Sequence, residues 1–349
     1  MGTRGPLFDS EAEVKQTDFD KDELDRAIAR LKNNKSSGPD RVTSELIKLL
    51  DEMAREKLRS LLNKCWNNEQ LFEEMNQADL AVIYKKGSTE KPENYRPIAL
   101  LNIAYKLLAS MIQVRLAEAI DGRIDPAQYV FRRARSTSQQ VHIYRRIQEI
   151  HEESNMELVS VLLDWEKAFD KIHQGKLLEA LSRIGIPDKM VRVIGAIYRE
   201  PKFAVRDDGK RSTERKQEAG IRQGCPLSPY LFVIVMTVIM KDIDNGLTEA
   251  ERQIMEEEAP FDMGSFGRLL YADDTIILAS TAASAQLMLH KIQEESGRYN
   301  MRLNQTKCVL LRMNSIYNVY YQDGQALPIA DRSNYLGTCM TARGNRMQK

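Results

Sequence analysis

The sequence predicts an α+β fold with a mostly antiparallel sheet. Apolar residues first recur at helical spacing, and short β-branched runs then appear between further helices. Helices that are followed by strands interleaved with helices are typical of the α+β class. With 349 residues and a hydrophobic fraction of 42%, the chain can bury a full core, so a disordered protein is not expected.

The N-terminal part is predicted to be mainly helical. Asp20 and Glu23 form a candidate capping box, and apolar residues follow at helical spacing from Leu24. That helix is expected to end near Asn33, before a turn at residues 36–39. The next predicted elements are a helix over 43–63, a strand over 80–84, a basic loop over 85–93, and helices over 97–116 and 137–153.

Strand-like runs dominate the prediction from residue 158 onward. Residues 158–163 form an apolar run that suits a strand buried on both faces, and it ends on Asp164. Two short strands, 269–271 and 275–278, flank a tight turn at Ala272-Asp273-Asp274. The remaining predicted elements are helices over 176–184, 188–198 and 231–243, a hairpin turn at Asp207-Asp208-Gly209, and an acidic surface excursion over 241–262.

The charge of the chain is nearly balanced but unevenly distributed. The net charge is +1, yet residues 85–150 hold twelve basic against six acidic side chains. Residues 241–262 hold two basic against eight acidic, and residues 298–312 hold four basic and no acidic ones. Such runs are usually solvated helix faces, but the basic ones are also compatible with a nucleic-acid channel on one face.

Membrane insertion, secretion and zinc binding have no support in the sequence. The longest apolar run, residues 231–240, is too short to span a bilayer, and the N-terminus lacks the apolar core of a signal peptide. An intracellular location is therefore expected. Cys65, Cys225, Cys308 and Cys339 are scattered without a CxxC pair, so reduced thiols are expected instead of zinc or disulfides.

The aspartates at the two strand ends are the candidate catalytic groups. Asp273 and Asp274 repel each other if both are ionised, and a metal ion would relieve that repulsion. Magnesium prefers oxygen ligands, and Asp164 could supply a third carboxylate if the two strands are neighbours. Two ions held in this way stabilise an in-line phosphoryl displacement. A lone Asp-Asp is more often a solvated turn, and Asp170 more often braces the next helix.

Six ordered motifs resemble those of the reverse transcriptases of non-LTR (LINE-type) retrotransposons. Tyr271-Ala272-Asp273-Asp274 is similar to the YxDD motif of the family. The others are the segments 37–40 (SGPD), 94–102 (NYRPIALLN), 164–170 (DWEKAFD), 220–229 (GIRQGCPLSP) and 335–337 (YLG), so that the resemblance covers about residues 32–340.

The resemblance implies a right-hand polymerase fold with helical fingers, a palm built on an antiparallel sheet and a truncated thumb. The implied domains are an N-terminal extension with fingers at 1–155, a palm at 156–315, and a primer-grip hairpin with the start of the thumb at 316–349. The implied activity is an RNA-directed DNA polymerase that adds deoxynucleotides to a primer 3′-hydroxyl. Its cofactor would be two Mg²⁺ ions, with Mn²⁺ as a substitute.

The resemblance also implies roles for individual residues. Asp164, Asp273 and Asp274 would hold the metal ions, and Lys307 matches a lysine that protonates the leaving pyrophosphate; a surface lysine is the alternative. The nucleotide would contact Arg96, Lys85, Lys86, Gln223, Gly224 and Phe169, where Phe169 would exclude a 2′-hydroxyl unless it is a core residue. Nucleic acid would contact Arg132, Arg133, Arg135, Ser136, Tyr335, Leu336 and Gly337.

Three positions depart from the pattern of the family. Val130, Ala134 and Arg41 stand where glycine is usual, and a side chain at these positions is costly if the backbone needs a positive φ. The alternative function is therefore a catalytically inactive, decayed or repurposed nucleic-acid-binding protein. A viral-type RNA polymerase is a further alternative, although such enzymes usually carry Gly-Asp-Asp at the turn.

The expected partners are an RNA template, a DNA primer and deoxynucleoside triphosphates. An endonuclease and the rest of the thumb are expected on a longer parent protein. An element that is copied into chromosomes would act in the nucleus.

Overall fold

The structure is a computed structural model that describes residues 4–207, 209–257 and 267–342. The chain divides into two compact units: unit 1 comprises Met1–Arg123 and Ile172–Phe232, and unit 2 comprises Ile124–Lys171 and Val233–Lys349. The domain boundaries implied by the resemblance follow the polymerase pattern instead of chain compactness, and they stay predictions.

The described residues form an α+β fold. The helices are α1 (Lys21–Arg30), α2 (Ser44–Lys48), α3 (Glu52–Asn68), α4 (Ile103–Ile120), α5 (Thr137–Glu153), α6 (Ala168–Lys171), α7 (Gln174–Arg183), α8 (Asp188–Tyr198), α9 (Ser228–Gly246), α10 (Glu249–Glu257) and α11 (Ala282–Gly297). The strands are β1 (Gln77–Tyr84), β2 (Tyr95–Leu101), β3 (Leu158–Leu163), β4 (Lys202–Asp207), β5 (Lys210–Arg211), β6 (Arg215–Lys216), β7 (Arg268–Tyr271), β8 (Asp274–Ala279), β9 (Val309–Met313), β10 (Arg332–Tyr335) and β11 (Thr338–Thr341).

Unit 1 contains a five-stranded sheet with helices. Its strand order is β2-β1-β4-β5, with β6 paired to β4, and β1 runs parallel to β4 and antiparallel to β2. The predicted hairpin is present, because Asp207 pairs with Lys210. The predicted turn residue Asp208 lies outside the described residues.

The helix predicted over 97–116 is wrong at its beginning. Residues 95–101 form β2, and the helix there is α4, which begins at Ile103. The apolar stretch looks continuous in the sequence, but its first five residues, 97–101, pair antiparallel with β1 from Ala78 to Val82. A long-range pairing of this kind leaves no local signal, so it overrides the helical pattern.

The helix predicted over 43–63 is interrupted. The α2 helix ends at Lys48, and Asp51 then caps α3 by accepting a hydrogen bond from the Ala54 N–H. By contrast, the capping box at the start of α1 is confirmed, since Asp20 and Glu23 make both of its reciprocal bonds.

A buried ion pair joins α1 to α4. Arg115 donates to both carboxylate oxygens of Glu23, at 2.7 and 2.8 Å, and to the carbonyls of Lys15, Thr17 and Asp18. A charge buried this deeply is tolerated only with such complete pairing, and so this contact fixes the packing of the two helices.

Unit 2 is built on a four-stranded antiparallel sheet with the order β7-β8-β3-β9. The central strand β3 is buried along its whole length, as predicted. One apolar cluster combines side chains of α5, the four strands and the β10–β11 hairpin: Tyr144, Ile147, Leu158, Leu162, Leu269, Ile276, Leu278, Leu311, Met313, Tyr335 and Met340.

The acidic stretch predicted as a surface excursion is partly helical. Its first residues belong to the end of α9, and residues 249–257 form α10. Residues 258–262 lie outside the described part of the chain. In that part, no helix combines the length and the hydropathy needed to cross a membrane.

Candidate active site

Strand β3 carries Asp164 to the edge of the unit 2 sheet. Leu163 pairs with Thr275 of β8, so Asp164 follows at the position that faces Asp274. The main chain of Asp164 is fixed by the Asn304 N–H, which donates to its carbonyl at 2.8 Å. Its side chain is 41% exposed, which leaves the carboxylate accessible from solvent.

The β7–β8 hairpin carries the other two acids. Tyr271 pairs with Asp274, and Ala272 and Asp273 form the two-residue turn between them. Ala272 has a φ of 54°, in the left-handed region where L-residues other than glycine are strained. The strand, turn and strand predicted from the sequence are therefore confirmed.

The three carboxylates influence one another electrostatically. The pKa of Asp274 is raised to about 6, first by burial and then by the negative charges of Asp273 and Asp164. Both effects make the ionised form of Asp274 less favourable, and a bound cation would relieve the part that comes from repulsion. As they stand, no three acidic, histidine or cysteine side chains of the described residues are arranged to hold a metal ion.

Lys307 lies beside the first carboxylate. Its Nζ is 3.5 Å from Oδ1 of Asp164, and its side chain is largely exposed. The segment just before Lys307 lies beside the residues that follow β3. Leu303 forms a β-bridge with Trp165, and the Glu166 N–H donates to the Arg302 carbonyl. The structure thus brings Asp164, Asp273, Asp274 and Lys307 together in unit 2.

Phe169 lies in the short helix α6, five residues beyond Asp164, and is half-buried. It is therefore neither a fully enclosed core residue nor a fully exposed one. Asp170, in the same helix, is also half-buried.

The predicted nucleotide-binding residues other than Phe169 lie in unit 1. Arg96 is exposed on β2, opposite Ile83 of β1, and Lys85 and Lys86 are exposed directly after β1. The Lys85 N–H donates to the Asn94 carbonyl at 2.8 Å, which fixes the beginning of the loop between the two strands. These three cations share one end of the β1–β2 pair.

Gln223 and Gly224 pack directly on β2. The Ala99 N–H donates to the Gln223 carbonyl at 2.7 Å. Gly224 has a φ of 111°, and a Cβ there would stand 2.7 Å from the Ala99 carbonyl oxygen. Only glycine fits this position, because a side chain would meet a backbone atom that cannot move aside.

Two of the predicted nucleic-acid-binding arginines hold their own loop. Arg132 donates to the Asp125 carbonyl at 3.2 Å, and Arg135 donates to the Pro126 carbonyl at 3.0 Å. Ser136 caps α5 in a capping box with Gln139. Arg133 is exposed, so its guanidinium is accessible to a ligand.

The predicted primer-grip residues form the turn of the β10–β11 hairpin. Tyr335 pairs with Thr338, and both Leu336 and Gly337 between them have a positive φ. Tyr335 is buried in the apolar cluster of unit 2, and burial raises the pKa of its hydroxyl well above the usual range.

Residues that the sequence analysis did not single out hold the β7–β8 hairpin in place. The segment 125–130 runs along β7: the Leu270 N–H donates to the Ala127 carbonyl, and the Tyr129 N–H donates to the Leu270 carbonyl, both at 3.0 Å. Arg268, at the beginning of β7, binds Asp125 and Asp244 at 2.6 Å each. Buried polar side chains facing a strand give no periodic signal, which is why they were missed.

The sequence of this chain is similar to one protein family and to several known proteins. The model described as "Reverse transcriptase (RNA-dependent DNA polymerase)" matches residues 83–339. The chain is 25% identical over 327 residues to a retrovirus-related Pol polyprotein from the type-1 retrotransposable element R2 of Nasonia vitripennis, which covers 88% of this chain and 30% of that protein. It is 27% identical over 296 residues to the RNA-directed DNA polymerase from mobile element jockey of Drosophila melanogaster, covering 82% and 31% respectively.

Both relatives are much longer than this chain, which spans less than a third of either. Among solved structures, apo telomerase from Candida tropicalis, truncated from its C-terminal domain, superposes with a TM-score of 0.53. The identity is 13%, and the match covers 83% of this chain and 59% of the telomerase chain. At that identity the likeness bears on the fold alone.

Proposed function

Since the chain belongs to the reverse transcriptase family and has the right-hand polymerase fold, we propose that it is the polymerase core of an RNA-directed DNA polymerase. The relatives are proteins of non-LTR retrotransposons, as the six motifs predicted. The reaction would be attack of a primer 3′-hydroxyl on the α-phosphate of a deoxynucleotide, with pyrophosphate as the leaving group.

One observation carries this proposal: the charges of Asp164, Asp273 and Asp274 act on one another. Burial raises the pKa of Asp274 first, and the negative charges of Asp273 and Asp164 raise it further. A stable hairpin tip has no need of two adjacent acids facing a third. The repulsion among the three carboxylates is explained if the side chains together bind a cation.

Reverse transcriptases use divalent metal ions, and the donors here suit them. We propose that Asp164, Asp273 and Asp274 hold two Mg²⁺ ions, which Mn²⁺ could replace, because carboxylate oxygens are the ligands that such ions prefer. When bound, the ions supply charge stabilisation to the phosphates in an in-line displacement.

Further side chains of each unit would orient the substrates. Lys307, held beside Asp164, would supply positive charge and a proton to the leaving pyrophosphate. Phe169 would contact the sugar of the incoming nucleotide and exclude a 2′-hydroxyl. In unit 1, Arg96, Lys85 and Lys86 are exposed cations suited to the triphosphate.

The proposed substrates are an RNA template, a DNA primer and deoxynucleoside triphosphates. Arg133 would contact the nucleic acid directly, while Arg132, Arg135 and Ser136 would shape the loop that presents it. Target-primed synthesis would further need an endonuclease and the rest of the thumb, which we propose are carried by a longer parent protein.

Primer extension on an RNA template tests this function. We expect extension in Mg²⁺ by the parent chain and a loss of at least about 100-fold in Asp273→Asn and Asp164→Asn, or about 2.7 kcal/mol of transition-state stabilisation. Asp331→Asn, at an exposed aspartate of the same unit, is the matched control and should extend normally.

Two results would contradict the proposal. If the parent binds primer–template but does not extend it in Mg²⁺ or Mn²⁺, the chain is a nucleic-acid-binding protein that retains the fold. If it incorporates ribonucleotides in preference to deoxynucleotides, the sugar selection assigned to Phe169 is wrong.

A further inference from the structure

Two fully buried glutamines bind the backbone of the β7–β8 hairpin, which carries Asp273 and Asp274. Gln128 Oε1 accepts a hydrogen bond from the Ala272 N–H at 3.2 Å and another from the Val130 N–H at 3.3 Å. Gln140 Nε2 donates to the Leu270 carbonyl at 3.0 Å. Only the contact of Gln128 reaches the turn residue that precedes Asp273.

The stability of the fold does not account for these glutamines. Gln128 Nε2 and Gln140 Oε1 are buried without a hydrogen-bond partner among the described residues. A buried polar atom in that state costs about 1–3 kcal/mol, so an apolar side chain of similar shape would be better tolerated. A residue that is kept at such a cost is expected to serve the site it touches.

The turn needs an external contact because of Ala272. Its φ of 54° lies at the first of the two turn positions, where glycine is usual in a hairpin with a positive φ. For alanine this conformation costs about 1–2 kcal/mol. The hydrogen bond from its N–H to Gln128 opposes that cost, and the direction of the next side chain, Asp273, depends on it.

We propose that Gln128 is a positioning residue of the polymerase site. By fixing the Ala272 N–H, it holds the strained turn in the form that directs the Asp273 carboxylate toward Asp164. The inference rests on the function proposed above, since it assumes that Asp273 binds the metal ion. It also links the turn to Val130 and thus to the beginning of the loop that carries Arg133.

The test is a double-mutant cycle between Gln128 and Ala272. Gln128→Met keeps the volume of the side chain but removes the acceptor, so the turn should relax and kcat should fall roughly tenfold with little change in the KM for the nucleotide. Ala272→Gly adopts a positive φ without strain. In that background, Gln128→Met should therefore lower kcat by less than about threefold, a coupling that independent sites do not show.

Two further readouts do not need activity. Hydrogen exchange at the Ala272 amide should be faster in Gln128→Met, because its acceptor is gone. Mn²⁺ binding, followed by the electron paramagnetic resonance of the free ion, should weaken roughly tenfold, as is usual when a contact that orients a metal ligand is lost. Both measurements remain informative if the parent protein does not extend a primer.

Gln140→Met is the matched control. Gln140 lies on α5, is as buried as Gln128 and contacts the same hairpin. Its partner, however, is the Leu270 carbonyl on β7 and not the turn. We expect Gln140→Met to leave exchange at Ala272 and the stability of the fold unchanged, because it removes an unpartnered buried atom together with one hydrogen bond, and its effect on kcat should be equal in both backgrounds. The proposal is overturned if Gln128→Met leaves exchange at Ala272 unchanged, or if Ala272→Gly fails to reduce its effect.

Discussion

At the scale of the residue, two of the three positions that depart from the family pattern have a strained backbone. Arg41 and Ala134, two of the three positions where glycine was expected, have φ values of 57° and 57°. Val130 does not have a positive φ, whereas its neighbour Phe131 does, at 58°. The departures at Arg41 and Ala134 therefore carry a real conformational cost, and the one at Val130 does not.

Arg41 offers a direct measurement of this cost. Its side chain is exposed, and its N–H donates to the Gly38 carbonyl in a tight turn. Arg41→Gly should raise the free energy of unfolding by about 1 kcal/mol, because glycine adopts a positive φ without strain. Urea titration measures the change.

Lys57→Gly, at an exposed position within α3, is the contrasting control. It should lower the free energy of unfolding by about 1 kcal/mol, since glycine is unfavourable inside a helix. A decrease in the free energy of unfolding for both variants would show that the backbone conformation of Arg41 is not strained.

The positions of the candidate catalytic acids could be predicted because each follows a local pattern. Asp164 ends a six-residue apolar run, and Asp273 and Asp274 lie between two short strands. The role of Gln128 could not be predicted, since it depends on the pairing of residues 125–130 with β7, more than a hundred residues away. A glutamine in a polar segment has no periodicity that would distinguish it from an exposed one.

At the scale of the element, local signals and long-range pairing account for the correct and the incorrect predictions. The α1 helix begins where its capping box predicts, because both capping bonds join residues three apart. Strand β2 was predicted as helix from Pro97 onward because its partner β1 is separated from it by a loop and residues 97–101 are uniformly apolar. The break between α2 and α3 depends on the cap at Asp51 and was equally invisible to periodicity.

The start of α1 gives the chain an acid-sensitive contact. The pKa of Asp20 is lowered to about 2, first by the hydrogen bond from Lys15 and then by that from the Glu23 N–H. A carboxylate whose pKa is lower in the folded state stabilises the fold above its unfolded value, near 3.9, and loses that effect as the pH falls toward 2. Because Asp20 is half-exposed, its contribution should not exceed about 1 kcal/mol.

Asp20→Asn tests this contribution. The difference in unfolding free energy between the parent and the variant should be largest at pH 5 and should shrink toward zero at pH 2. Denaturant titrations at both pH values measure it, and a difference that does not depend on pH would contradict the assignment.

At the scale of the whole molecule, binding of divalent ions should be visible as stability. An ion at ten times its dissociation constant adds about 1.4 kcal/mol to the stability of the folded state, which for a chain of 349 residues is a rise in Tm of about 2 °C. Asp273→Asn should raise the Tm without ions, since it relieves the repulsion on Asp274, and it should abolish most of the rise with Mg²⁺. Asp331→Asn should respond as the parent does, and an equal rise in all three proteins would place the ions elsewhere.

The central position of β3 also has a consequence for biosynthesis. Its two neighbours in the sheet, β8 and β9, are translated long after it, since Leu162 pairs with Ile276 and Val309. Contacts of such high sequence separation form slowly and only once the whole span is available. On the ribosome, the strand that ends in Asp164 therefore remains an apolar, unpaired segment until β8 has emerged at residue 279, and it lacks its second neighbour until residue 313 has emerged. During that interval the nascent chain is open to aggregation and is a substrate for chaperones.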